Sequence, residues 1–285
     1  MKQKIFIWAN SDLDGAASVI ALGHIFPEFE YQSCFFGKFQ EQYIKWAKTN
    51  LENYDKIFVV GMVIDQDLMR KLDDPRIVII SDRADVLKVH DSTLIVEEST
   101  SCCRLIYLKF NHLRALPKPV KELILYVDDY NRYSLTYDES KYLNALYRKM
   151  GVRKFKEFVE RFSDGYDGLT EKEVALADTF LKEIQDELPK LDLYTGLWDG
   201  WSVLSTFSKC SVNEIAKELM DAHDYDIIII VNTDTKFISF RKPPTSTANI
   251  ANMAESLCGG GGGEWAAGGN ITQKFLEFTE DLTLL

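Results

Sequence analysis

Lys4-Ile5-Phe6-Ile7-Trp8-Ala9, Asn10-Ser11-Asp12-Leu13-Asp14 and Gly15-Ala16-Ala17-Ser18-Val19-Ile20-Ala21-Leu22 follow one another without a break. The first piece has the length and apolar character of a buried strand and is too short for a leader peptide. The third reads as a helix, with Asp14 placed to cap it. Between them, two carboxylates stand one residue apart, and Gly15 lets the chain turn tightly from strand into helix. Lys56-Ile57-Phe58-Val59-Val60 and Arg76-Ile77-Val78-Ile79-Ile80 are short β-branched runs without alternation, as in strands covered on both faces. Lys121 to Val127 reads as a fourth such run, and Glu41 to Leu51 as a helix. Strands alternating with helices predict an α/β fold with a parallel sheet. Ligands of such sheets bind beyond the carboxyl ends of the strands. Asp12 and Asp14 follow the first strand, Gly61 the second, Ser81, Asp82 and Asp85 the third, and Asp128 and Asp129 the fourth. Acids therefore gather along one edge.

From about residue 138 to 190 the pattern turns helical. Thr170-Glu171-Lys172-Glu173 is a capping box opening a helix that runs to about Leu188, and Ser211-Val212-Asn213-Glu214 opens another. Asp226 to Val231 and Lys236 to Phe240 predict a hairpin around Asn232-Thr233-Asp234. An amphipathic stretch, Asn249 to Leu257, leads into Gly259 to Gly263, Glu264, Trp265, Ala266, Ala267 and Gly268. Consecutive glycines are entropically costly to order, so the run marks backbone that something approaches closely. Its N–H groups would suit an anion, with phosphate the first expectation. The organisation predicted is an α/β domain over 1–165, a helical linker over 166–195, and a smaller domain over 196–285 with a smaller, mixed sheet. A cleft between them is expected to open and close about the linker.

The chain has 285 residues, 46% hydrophobic and 27% charged, as in an ordinary globular protein. No apolar run approaches the roughly 18 residues that span a membrane. Five scattered cysteines without a CxxC spacing predict reduced thiols in a cytoplasmic protein. A net charge of −11 argues against long duplex nucleic acid. The dense basic cluster from Arg148 to Lys156 reads as a solvated helix face. Cys102-Cys103 and Trp198-Asp199-Gly200-Trp201 read as packing residues, and Pro243-Pro244-Thr245-Ser246-Thr247 as a turn before a helix cap.

Asn10 to Ser18 resembles the first motif of the DHH/DHHA1 phosphoesterase superfamily, His-x-Asp-x-Asp-Gly-x-x-Ser. Ser239-Phe240-Arg241 with Gly260 to Gly268 resembles its C-terminal signature, Gly-Gly-Gly-His-x-x-Ala-Ala-Gly. Thr100-Ser101-Cys102-Cys103 and Asp128-Asp129-Tyr130-Asn131-Arg132-Tyr133 fall where members carry similar segments. The superfamily includes RecJ-like nucleases, nano-RNases and cyclic-dinucleotide phosphodiesterases, and the resemblance spans nearly the whole chain. It implies two divalent ions, usually manganese, in a cage of acids and histidines that activates water, with the second domain holding substrate.

The resemblance also marks departures. The first-motif histidine position holds Asn10, while Asp12 and Asp14 stand. The second-motif aspartate is Gly61, and the Asp-His-His triplet is Ser81-Asp82-Arg83 or, one residue on, Asp82-Arg83-Ala84. The fourth-motif acid is Asp129, with Asp128 the alternative, and the glycine-loop histidine is Gly263. None of the four histidines falls in a motif. Losing imidazoles removes ligands that suit manganese and zinc. Arg83 would set a guanidinium among Asp12, Asp14 and Asp129, where a metal sits in the family.

These positions predict a largely dismantled metal centre. On the first reading, the protein is non-catalytic and sequesters, senses or scaffolds a short oligonucleotide, dinucleotide or cyclic dinucleotide. Arg241, Gly260, Gly261, Gly262, Gly263 and a stacking Trp265 would hold that ligand, with no membrane role and with a protein partner or second copy as a further occupant. The alternative is an active, atypical phosphodiesterase with a single magnesium or manganese on Asp12, Asp14, Asp82 and Asp129. The last is a purely structural interaction role.

Overall fold

The opening apolar run forms β1 (Ile5–Asn10), and the small-residue stretch after it forms α1 (Leu13–Ile25). Asp12, rather than the expected Asp14, caps α1, its Oδ1 accepting from the Gly15 amide at 2.8 Å. A Cβ on Gly15 would lie 2.0 Å from the Asn10 carbonyl oxygen, so the turn admits only glycine. With the cap made by its neighbour, Asp14 is released to face another element.

The computed structural model describes residues 3–64, 66–82, 93–97 and 100–285. After α1 come β2 (Phe29–Cys34), α2 (Phe36–Asn50), β3 (Lys56–Val60), α3 (Gln66–Lys71), β4 (Ile77–Ser81) and β5 (Thr93–Val96). Then follow α4 (Cys102–Phe110), α5 (Lys118–Asn131), α6 (Asp138–Lys149), α7 (Lys154–Arg161) and α8 (Glu171–Glu187). The five strands form a parallel sheet in the order β2-β1-β3-β4-β5. Both faces are covered, which is why the central strands carry no polar alternation. On one face Phe6, Trp8, Ile57, Val59, Ile77 and Ile79 pack against Phe39 and Tyr43 of α2 and Leu68 and Met69 of α3. On the other, the Phe58 ring meets Phe26 and Phe110 at centroid distances of 5.4 and 5.6 Å.

Lys121–Val127 is not a strand: it lies inside α5. Val120, Leu123, Ile124 and Val127 are its buried residues, a spacing of three and four that belongs to a helix packed on one side. The run of apolar letters was misleading because Leu125 and Tyr126 fill the outward positions. Strands β2 and β5 occupy the two sheet edges instead.

The chain divides into two units, 1–180 and 181–285, with the boundary inside α8. That helix opens with the expected capping box: the Thr170 amide donates to Glu173 Oε2 at 2.7 Å, and the Glu173 amide to Thr170 Oγ1 at 3.3 Å. The second unit contains β6 (Leu193–Trp198), β7 (Trp201–Phe207), α9 (Val212–Ala222), β8 (Ile227–Asn232) and β9 (Phe237–Arg241). It continues with α10 (Ile250–Cys258), β10 (Gly261–Gly262), β11 (Ala266–Asn270), α11 (Gln273–Glu280) and β12 (Thr283–Leu284). Its sheet, β10-β11-β9-β8-β7-β6-β12, is mixed as expected, with β7 and β8 parallel. With seven strands it is wider than the first sheet, not smaller.

The glycine run is a structured hairpin. Gly259 takes the left-handed conformation (φ 59°) that ends α10, and its amide donates to the Glu255 carbonyl at 3.0 Å. The Gly260 amide donates to Ala254 at 3.2 Å and the Gly263 amide to Ala266 at 2.9 Å. Gly261 and Gly262 pair with Gly268 and Ala267. A Cβ on Gly260 or Gly262 would lie 2.0 Å from the Gly268 or 2.4 Å from the Ala266 carbonyl oxygen, whereas one on Gly263 meets nothing within 4 Å. Gly260→Ala and Gly262→Ala should therefore each destabilise the protein by about 1–3 kcal/mol in urea denaturation. Gly263→Ala should be neutral or stabilising by up to ~1 kcal/mol. Equal losses at all three positions would contradict this geometry.

Candidate functional site

In the first unit the direction of winding reverses between the neighbouring strands β1 and β3, because β2 lies on the far side of β1. A parallel sheet opens a crevice beyond its carboxyl ends at such a point. Asn10 ends β1 there, and Gly61 follows β3.

Asp14 is buried in this crevice. Its Oδ2 accepts the Cys102 amide and its Oδ1 the Cys103 amide, both at 2.8 Å. These are the first two amides of α4, donors that no helical carbonyl can satisfy, at the end of the helix that favours negative charge. Asp128 fixes the approach to that helix. Its Oδ1 accepts from the Ser101 amide at 2.8 Å, the Ser101 hydroxyl at 2.8 Å and the Thr100 hydroxyl at 3.0 Å. Asp82, just beyond β4, is held by the Asn131 amide group at 3.1 Å. The Cys102 Sγ stands 3.9 Å from Asp82 Oδ1. One donor atom from each of Asp14, Asp82 and Cys102 lies within 4.8 Å of the others. The Asn10 side-chain amide donates to Asp12 Oδ2, and its own Oδ1 is buried without a partner among the described residues.

Burial, then the charges of Asp82 and Asp12, push the Asp14 carboxyl up to about 7, although hydrogen bonds from the Cys103 amide and thiol pull the other way. Burial and the same carboxylates hold the Cys102 thiol well above its ordinary value. Gly61 has φ +66°, and a Cβ built on it would lie 3.5 Å from the Asn10 Cβ and 3.8 Å from Cys102 Sγ. The position faces the site and offers no donor.

The structure thus brings Asn10, Asp12, Asp14, Gly61 and Asp82 together. Asp129 does not join them: its carboxylate accepts the Thr136 and Tyr137 amides at 3.1 and 3.2 Å and holds the turn after α5. Its neighbour Asp128 is the acid that serves the site, at one remove through Ser101. Ser81 is buried as the last residue of β4. Arg83 and Ala84, and with them the expected arginine–aspartate network, lie outside the described residues. His24 bonds the Ser163 carbonyl at 2.7 Å, and no described histidine joins Asp14 and Asp82. Cys102 and Asn131 were missed as site residues. Both lie in segments that resemble family segments, but only the tertiary fold brings them to Asp14 and Asp82.

In the second unit Arg241 ends β9 and pairs in register with Ala266, beside Trp265. Its Nη2 donates to Asn213 Oδ1 at 2.9 Å and its Nη1 to the Phe240 carbonyl at 2.8 Å. Lys242 is almost fully buried. Its ammonium donates to the Ala248 carbonyl at 3.1 Å, lies 3.9 Å from a Glu264 oxygen and sits 5.0 Å from the centre of the half-exposed Trp265 ring.

No family model matches the sequence, and no curated protein does. Solved structures match it over 98% of its length. The DHH domain of a member of the S1p family of ribosomal proteins is 12% identical, with a TM-score of 0.64 and 85% of that chain covered. The pGpG-specific phosphodiesterase PggH of Vibrio cholerae is 13% identical, at 0.58 and 96%. RecJ from Thermus thermophilus in complex with Mn2+ is 13% identical, at 0.60 and 51%. The chain therefore has the DHH phosphoesterase fold. No helix among the described residues is long and apolar enough to cross a membrane.

The donor atoms that could hold one divalent cation are those of Asp14, Asp82 and Cys102, and beside them the buried carbonyl oxygen of Asn10 lacks a partner among the described residues. Without metal, the folded state keeps a proton on Asp14 between the ordinary carboxylate value of 3.8 and about 7 that the unfolded chain has released. Stability from this group must then fall as pH rises through that window. Denaturation in chelator at pH 5 and pH 8 should show this slope, flattened in Asp14→Asn; an unchanged slope in the variant would remove Asp14 as its source.

Proposed function

We propose that this protein is a non-catalytic DHH-fold protein that binds a phosphodiester ligand, a linear or cyclic dinucleotide or a short oligonucleotide, with the first unit holding one divalent cation. The observation that carries the reading is the crevice at the end of β1 and β3. It keeps Asp12, Asp14 and Asp82 but has a glycine at 61, pointing a bare Cα at the cluster. Asp129 is committed to the Thr136–Tyr137 turn. One cation has its ligands, while a second, which two-metal phosphoryl chemistry needs to stabilise attacking and leaving oxygens together, lacks them among the described residues.

The cation, when bound, supplies a positive charge for a phosphate oxygen. Asp14 and Asp82 would hold it directly, with Asn10 and Asp12 on its rim. Asp128 keeps the α4 amides aimed at Asp14, and Asn131 orients Asp82. In the second unit, Trp265 offers a half-exposed ring for a base, and Lys242 beneath it fixes that ring by a cation–π contact. Arg241 is the phosphate contact of this reading, turned from Asn213 towards the ligand. The surviving carboxylates favour a second reading, a phosphodiesterase working with a single ion.

Calorimetry with manganese or magnesium and pGpG, cyclic dinucleotides and short RNAs tests both. Binding without turnover is expected, weakened about tenfold or more by Trp265→Ala, as loss of one stacked base implies. Metal-dependent turnover that disappears in Asp12→Ala would overturn the non-catalytic reading in favour of the second.

A further inference from the structure

We propose that Cys102 is a metal ligand, making the cation centre of the first unit a mixed oxygen–sulfur site that takes a zinc- or cobalt-type ion in preference to magnesium. This rests on the reading of the crevice as a cation site and concerns which ion it selects. The Cys102 sulfur is one of the three donor atoms that lie within 4.8 Å of one another. It also borders the gap at position 61, 3.8 Å from where a side chain there would begin. The thiol therefore stands beside the place where a donor is missing.

The sulfur is also preorganised. Cys102 is fully buried on the first turn of α4, and its own amide holds Asp14, so ligand and co-ligand are fixed by one rigid element. Among the described residues its sulfur makes only long contacts, 3.7 Å to the Ile80 carbonyl and 3.9 Å to Asp82 Oδ1, which a metal bond would readily displace. The buried Asn10 Oδ1 at the end of β1, without a partner among the described residues, offers a fourth, neutral donor. Thiolate sulfur selects softer ions, whereas an all-oxygen set suits magnesium. On ligation the sulfur–metal bond forms as the S–H proton passes to solvent water. The adjacent Cys103 is the thiol to compare: its side chain hydrogen-bonds Asp14, the Ser101 hydroxyl at 3.3 Å and the Ile124 carbonyl at 4.0 Å, but its sulfur is not among the three clustered donor atoms of Asp14, Asp82 and Cys102.

The test is titration of the whole chain with Co2+, read by absorption. A near-ultraviolet sulfur-to-cobalt charge-transfer band is expected, lost in Cys102→Ser and kept in Cys103→Ser. Cys102→Ser should also weaken Zn2+ binding about tenfold or more, the loss that removal of even a supporting partner can cause, and shift the preference of the site from zinc towards magnesium. If that variant does not fold, X-ray absorption of the zinc-loaded wild type reads the ligand directly, as sulfur at about 2.3 Å beside oxygens at about 2.0–2.2 Å. Cobalt bound without the band, or zinc with only light-atom neighbours, would overturn this inference and leave the cation site standing. No cation bound at all would overturn both.

Discussion

The placement of one buried carboxylate, Asp14, organises the first unit. The carboxyl in that buried position is held by the free amides of α4, which point at it, and Asp128 steadies the start of α4 by gathering Thr100 and Ser101. Three elements far apart in sequence are thereby locked around a single pair of oxygens. The arrangement also needs the glycine turn after β1, since Asp12 can cap α1 and leave Asp14 free only where the chain passes so close to the Asn10 carbonyl. The repulsion that Asp82 and Asp12 still exert on Asp14 is what a divalent ion between them would relieve.

Much of this was legible in the sequence. Asp12-Leu13-Asp14-Gly15 between an apolar run and a small-residue helix identified the loop and its carboxylates, because strand length, helix spacing and the need for glycine are local properties. Which aspartate caps and which faces the site was not legible, since that depends on α4, nearly ninety residues away. The Lys121–Val127 run was misread because a half-buried helix with apolar residues on its outer face looks like a covered strand when only the letters are counted. That error moved Asp128 and Asp129 to a strand end, and so hid the division of labour between them. Asp199-Gly200, by contrast, was a missed local signal: both residues take positive φ and close the β6–β7 hairpin between Trp198 and Trp201.

The second unit corrects the idea of an open phosphate cradle in physical terms. The amides of Gly259, Gly260 and Gly263 already donate to Glu255, Ala254 and Ala266. Gly260 and Gly262 are required by the close approach of their backbone to β11, and Gly259 by its left-handed φ, rather than by an anion. What the hairpin presents outward is Trp265 at its tip, supported by a buried lysine whose charge is shared among Ala248, Glu264 and the ring. Glu264 therefore need not repel a phosphate ligand as an isolated charge, since it already faces an ammonium.

At position 61 backbone conformation and charge bear on the crevice together. Its left-handed φ of +66° suits glycine, and any other residue there carries a strain of roughly 1–2 kcal/mol, least for aspartate and asparagine. Space is not the obstacle, because an added Cβ would make only ordinary contacts with Asn10 and Cys102. The backbone at 61 thus favours glycine, and the Cys102 sulfur lies against the space that a side chain would enter. A carboxylate placed at 61 would stand beside the Cys102 thiol and add a further negative charge near Asp14 and Asp82. The local electrostatics therefore oppose that substitution more than the local backbone does, since aspartate is among the residues that a left-handed φ strains least.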